Sequence, residues 1–125
     1  MPARLLVFGI DGTDWDLLDP LIAAGRMPAF KAFKERSCWG RLSSTNPPIT
    51  PAAWTSSFTG VNPGAHGIFD FFQRYEGSYG MRIASSKDNR RPTVFRLASS
   101  AGKSVCALNI PFAYPPEAVN GILMT

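Results

Sequence analysis

The sequence predicts an α/β fold, and three observations carry that prediction. Apolar runs of strand length stand near both ends of the chain, helix patterns with capping residues lie between them, and glycine and proline gather at the junctions. The segment Arg4-Leu5-Leu6-Val7-Phe8-Gly9-Ile10 is apolar after one charge. That is the pattern of a buried strand in a parallel sheet, and it stops at Asp11-Gly12.

A helix is expected within residues 13–24, with Trp15, Leu17, Leu18, Leu21 and Ile22 at its apolar positions. Thr13 or Asp14 caps it, and Pro20 is placed to kink or divide it. A second helix covers residues 28–36, with Pro28 in its first turn and Phe30 and Phe33 spaced by three. Residues 38–43 read as a short strand. Residues 62–91 read mostly as loop, with aromatics at Phe69, Phe71, Phe72, Tyr75 and Tyr79 that either pack the loop onto the core or wall a substrate cleft. A helix over residues 92–101 is closed by Gly102, a strand over residues 104–110 follows, and a proline-rich loop leads to a last strand ending the chain.

The most informative stretch is Asn46-Pro47-Pro48-Ile49-Thr50-Pro51-Ala52-Ala53-Trp54. It reads as an extended approach, Thr50 as N-cap, Pro51 at the first helical position, and a short helix ending at Gly60. Thr50 then stands at the positive end of a helix, where backbone N–H groups bind phosphate oxygens. A hydroxyl there can cap the helix, attack phosphorus or ligate a metal; taken alone, a cap is the plain reading. Asp11 shifts the balance. A carboxylate at the carboxyl end of a first strand lies where ligands bind in open α/β sheets, although Asp-Gly also simply makes turns. Asp11 and Thr50 are the pair that can converge on one metal ion.

These pieces recur in family order over nearly the whole chain: Gly9-Ile10-Asp11-Gly12, Gly25-Arg26-Met27-Pro28, Ile49-Thr50-Pro51, Thr59-Gly60-Val61-Asn62-Pro63-Gly64-Ala65-His66-Gly67, Arg91-Pro92-Thr93 and Asn109-Ile110-Pro111. The chain thereby resembles the N-terminal part of an alkaline-phosphatase-superfamily phosphohydrolase of the type I phosphodiesterase/nucleotide pyrophosphatase kind. The block Thr59 to Gly67, at fixed distance after Thr50, is its specific part. The resemblance implies the superfamily's three-layer α/β sandwich, with residues 1–125 as the N-terminal part of one catalytic domain without internal boundary. It implies Asp11 as ligand to one of two divalent metal ions, zinc foremost with manganese or magnesium as substitutes. It implies Thr50 as nucleophile and ligand to the same ion. One position departs: the pyrophosphatases carry an asparagine three residues after the nucleophile, where this chain has Ala53, which weighs against nucleotide pyrophosphatase specificity and leaves the metal chemistry untouched.

The activity so implied is hydrolysis of a small-molecule phosphate ester, phosphodiester or nucleotide-type, through a phosphothreonine intermediate. A phosphomutase or sulfatase of the same superfamily is the alternative within the enzymes, and a non-catalytic phosphate-binding α/β module is the alternative outside them. The superfamily's mutases use serine and its sulfatases a modified cysteine or serine, so Thr50 favours the phosphodiesterase branch. The single histidine, His66, sits in a Pro-Gly-Ala-His-Gly turn, and the resemblance implies a structural or loop-fixing role for it rather than a ligand's. Two zinc sites need about three protein ligands each, so the chain is expected to be incomplete and inactive by itself.

Composition excludes several other classes. Hydrophobic residues make up 45% of 125, enough for one domain-sized core, and 18% charged residues argue against disorder. The net charge of +4 is scattered, with Arg90-Arg91 and the pair Lys31 and Lys34 the only close groupings, so a nucleic-acid polymer is not the expected partner. Cys38 and Cys106 have no Cys-x-x-Cys spacing and are expected as buried free thiols. No signal peptide or membrane span is read, and the cytoplasm is the expected location. Oligomeric state is left open.

Overall fold

The computed structural model describes residues 4–125, and these fall into two compact units, residues 4–43 and residues 44–125.

In the first unit, residues 4–10 form no strand. Leu5, Leu6, Val7 and Phe8 are each at least 80% exposed, against the expectation of a buried strand. A strand exists through its ladder, and the two sheets among the described residues are built from other segments. The same holds for residues 38–43, which are also without strand structure. Helix α1 spans Trp15–Ala23, with the Asp14 carboxylate accepting from the Asp16 N–H as its cap. Pro20 lies inside it, and the helix continues undivided. Gly25 closes it at φ 71, where the Gly25 N–H donates to the Ile22 carbonyl and the Arg26 N–H to the Leu21 carbonyl. Helix α2 spans Pro28–Glu35. From it Lys34 reaches Asp19 at 2.7 Å and lays its ammonium 3.7 Å from the Trp39 ring centroid and 4.5 Å from that of Trp15. Trp15 and Trp39 meet at 5.1 Å, and the Trp15 indole N–H donates to the Gly40 carbonyl. Leu18 is the one buried residue among those described in this unit, so the tryptophan–lysine cluster supplies much of its packing.

The second unit holds helix α3, Thr50–Thr59, the single turn α4, Pro63–His66, and helix α5, Val94–Ser100. Strands β1, Phe72–Arg74, and β2, Met81–Ile83, form an antiparallel hairpin; β3, Val105–Leu108, and β4, Gly121–Met124, pair in parallel with Val105 opposite Gly121. The stretch expected mostly as loop therefore carries a helical turn, a hairpin and the 3-10 turn Ser86–Asp88. Side chains tie these together: Gln73 donates to the Gly67 carbonyl, Arg82 donates to Gln73 and grips Asp88 with both terminal nitrogens, and Asp88 accepts from the Ser85 N–H. The Arg82 hydrogen bond holds the Asp88 carboxyl below its ordinary range.

The core gathers on α3, where Pro51, Ala52, Thr55 and Phe58 are buried, together with His66, Ile68, Ala84 and Ala107. Phe58 meets Phe95 of α5 at 5.8 Å. Thr93 caps α5, accepting from the Arg96 N–H, and Gly102 ends it at φ 71 as expected. Gly121 is required by backbone contact: at φ 143, a Cβ there would stand 2.0 Å from the Val105 carbonyl oxygen. Both cysteines are free and exposed rather than buried, since Cys38 lies outside any sheet and Cys106 faces outward from β3.

Candidate active site

Helix α3 begins one residue earlier than the Thr-Pro pair suggests. Ile49 has the extended N-cap conformation, φ −124 and ψ 147, and its carbonyl accepts from the Ala53 N–H at 2.9 Å. Thr50 is thus the first helical residue rather than the cap, and Pro51, whose missing N–H costs nothing there, is the second. The loop before it is folded back by the Thr45 hydroxyl, which donates to the Pro47 carbonyl at 2.8 Å, and the Asn46-Pro47 peptide is cis. Thr50 is half-buried in the first turn, where helix N–H groups and the macrodipole favour an anion.

What holds that turn in place comes from the next motif. Gly60, left-handed at φ 72, ends α3 with its N–H on the Ser56 carbonyl. The chain turns back, and the Asn62 side chain caps α4 by accepting from the Ala65 N–H. His66 then points into the body of the unit, fully buried, with Nε2 2.8 Å from Ser56 Oγ and Nδ1 accepting the Ile68 N–H at 3.1 Å. Because Nδ1 accepts a backbone proton, the neutral ring carries its own proton on Nε2, facing Ser56 and the Ala52 carbonyl. Burial pushes the His66 pKa below its ordinary value, and the Ala52 carbonyl opposes that more weakly. Behind it, Gly67 at φ 84 leaves room for the Arg90 side chain, while the Arg90 N–H donates to the His66 carbonyl and Arg91 Nε to the Ala65 carbonyl. The Thr59 to Gly67 block is thus a clamp on α3, reaching Ala52 and Ser56 just beyond Thr50.

Asp11 lies exposed in the turn after residues 4–10, in the first unit, followed by Gly12 at φ 65; Thr50 belongs to the second unit. No group of three or more histidine, cysteine, aspartate or glutamate side chains suited to a metal ion occurs among the described residues. Asp11 and Thr50 are oxygen donors of the kind divalent cations take, and two is fewer than the three protein ligands of a catalytic zinc. Ala53, half-buried on α3, offers only a methyl group.

A type I phosphodiesterase / nucleotide pyrophosphatase family model matches residues 5–121. The chain belongs to this family. Comparison with curated proteins and with solved structures gave no match. Membership places the chain among phosphoric ester hydrolases of the phosphodiesterase and nucleotide pyrophosphatase type, in a family of alkaline-phosphatase-like fold, and its mixed helices and strands agree with that class. Small-molecule phosphate esters are the family's substrates. Among the described residues no helix is long and apolar enough to cross a membrane.

Two features of the second unit escaped the sequence. Ser56, the partner of His66, is six residues after Thr50 and looks like any helix-surface serine. A cavity of about 400 Å³ runs between α3, the 3-10 turn, α5 and residues 112–117, lined by residues far apart in the chain.

Proposed function

We propose that this protein hydrolyses small-molecule phosphate esters, phosphodiester or nucleotide-type, with Thr50 as the nucleophile. The observation that carries the reading is the placement of Thr50 in the first turn of α3, six residues before Ser56 and its contact with the buried His66, in a chain of this family. The ester phosphate sits at the helix N-terminus, its oxygens on backbone N–H groups. Thr50 Oγ1 gives up its proton to solvent and bonds to phosphorus while the ester oxygen departs with the P–O electron pair and takes a proton, giving phosphothreonine; water then bonds to phosphorus, and the Thr50 oxygen leaves with the electron pair and regains its proton. The rigid clamp through His66 keeps the hydroxyl aligned for in-line attack.

The proposal includes dependence on two divalent metal ions, zinc foremost with manganese or magnesium as substitutes, to which Asp11 and Thr50 offer oxygens. The described residues do not complete such a site, so the steps above are those of the chain's own atoms. The alkaline-phosphatase-like three-layer sandwich is proposed with it. Turnover of a panel of phosphomonoesters, phosphodiesters and sulfate esters by the full-length gene product tests the reading. Phosphate ester hydrolysis lost in Thr50→Ala, partly kept in Thr50→Ser, and lost together with bound metal in Asp11→Asn is expected. Activity of Thr50→Ala within about tenfold of wild type, or preference for sulfate esters, overturns it.

A further inference from the structure

The cavity in the second unit has the chemistry of a binding site that the Thr50 reaction does not use. Its volume, about 400 Å³, falls within the range of small-molecule pockets. Thr50 is not among its lining residues. Three aromatic rings, Phe58, Phe95 and Phe112, furnish apolar wall. Lys87, Arg91 and Arg96 bring three cations to the lining against one acid, Glu117. None of these three cations forms an ion pair among the described residues; the ion pairs there are Lys34–Asp19, Arg41–Asp16 and Arg82–Asp88. Glu117 is already engaged by the Thr93 hydroxyl.

The second observation is a buried polar atom. Thr55 lines this cavity, is 0% exposed, and its hydroxyl oxygen has no hydrogen-bond partner among the described residues. A buried hydroxyl left unpaired is costly, and native structures satisfy nearly all such groups. The walls are also held rigidly. Ser86 Oγ donates to the Pro115 carbonyl at 2.6 Å and the Ser86 N–H to the Tyr114 carbonyl at 3.0 Å, fixing the 3-10 turn to the proline-rich segment. Rings, cations outside any ion pair and an unpaired hydroxyl around one solvent-open volume fit a ligand with an apolar body and an anionic head.

We infer that this cavity binds a small aromatic anion, an aryl phosphate or aryl carboxylate, with its ring among the three phenylalanines and its charge met by Lys87, Arg91 and Arg96. Thr55 supplies the hydroxyl hydrogen bond. The site is separate from Thr50 and does not depend on its role.

The test uses the isotope-labelled full chain carrying Thr50→Ala, so that no ester is turned over and the two readings fail separately. It is titrated with 1-naphthyl phosphate, 1-naphthoate, 1-naphthol and inorganic phosphate, and backbone amide shifts are followed. Both naphthyl anions should saturate, with shifts centred on Thr55, Phe95, Phe112 and Leu123. 1-Naphthol and inorganic phosphate should each bind at least about tenfold more weakly, since each lacks half of the recognition. Arg96→Gln and Thr55→Val should each weaken the naphthyl anions by about tenfold, while Thr55→Val keeps or raises the melting temperature because it removes an unpaired buried hydroxyl. Wild-type affinity in either variant overturns the inference. So does 1-naphthol binding as tightly as the anions, or shifts gathered on residues 49–53 instead.

Discussion

His66 Nε2 stands 2.8 Å from Ser56 Oγ, and this contact fastens α4 to the middle of α3. The ring is neutral and buried, with its pKa depressed chiefly by burial below the ordinary 6.5. The unfolded chain takes up a proton near that ordinary value, whereas the folded chain refuses it until a lower pH. Stability is therefore whole above 6.5 and declines as pH falls below it, towards the folded pKa. Urea midpoints measured at about pH 7.5 and about pH 5.5 should fall with pH in the wild type and fall less in His66→Gln. A wild-type midpoint that does not drop across this window contradicts the buried neutral assignment. His66→Ala, which also strands the Ile68 N–H, should cost about 2–3 kcal/mol at neutral pH.

Gly121 tests the parallel pair. A Cβ there would sit 2.0 Å from the Val105 carbonyl oxygen, so β4 cannot keep its register beside β3 if the residue gains a side chain. Gly121→Ala should lower stability by about 2–4 kcal/mol, with loss of amide protection at Val105 and Ala107. Wild-type stability in this variant would mean that the β3–β4 pairing is wrong.

The apolar run Leu5-Leu6-Val7-Phe8 is exposed and unpaired with any strand among the described residues. Exposed apolar backbone of this kind associates. Sedimentation of the 125-residue chain should show concentration-dependent association, reduced by the double substitution Leu6→Lys and Phe8→Lys. A wild-type chain that stays monomeric up to about 100 µM, well inside the micromolar-to-millimolar range where exposed apolar surface aggregates, would contradict this.

The helices were legible because their ends are written locally. Asp14 before Trp15, Pro28 at the head of α2 and Gly102 after α5 each act through the nearest turn of backbone, whereas the Thr93 cap went unread and α5 starts at Val94 rather than at residue 92. The strands were not, because a strand is fixed by a partner elsewhere. Residues 4–10 have a better strand composition than Phe72–Arg74, yet the latter found a neighbour in Met81–Ile83. At Thr50 the helix existed as read, and only the cap moved to Ile49, since the Ile49 carbonyl rather than that of Thr50 accepts the first helical bond. The loop-fixing place of His66 came from the family resemblance, whereas Ser56 as its partner depended on how α4 folds back. The anion cavity was illegible altogether: Thr55, Lys87, Arg96 and Glu117 meet only through tertiary structure.

The central claim is that the Thr50 oxygen itself becomes phosphorylated. The full-length gene product, supplied with zinc and a slowly hydrolysed aryl phosphate ester, is quenched in acid during turnover, digested and analysed by mass spectrometry. The account predicts phosphate on the peptide containing Thr50, assigned to that residue by fragmentation, and its absence from Thr50→Ala together with loss of turnover. Turnover without any phosphorylated Thr50 peptide, or undiminished turnover in Thr50→Ala, would contradict it.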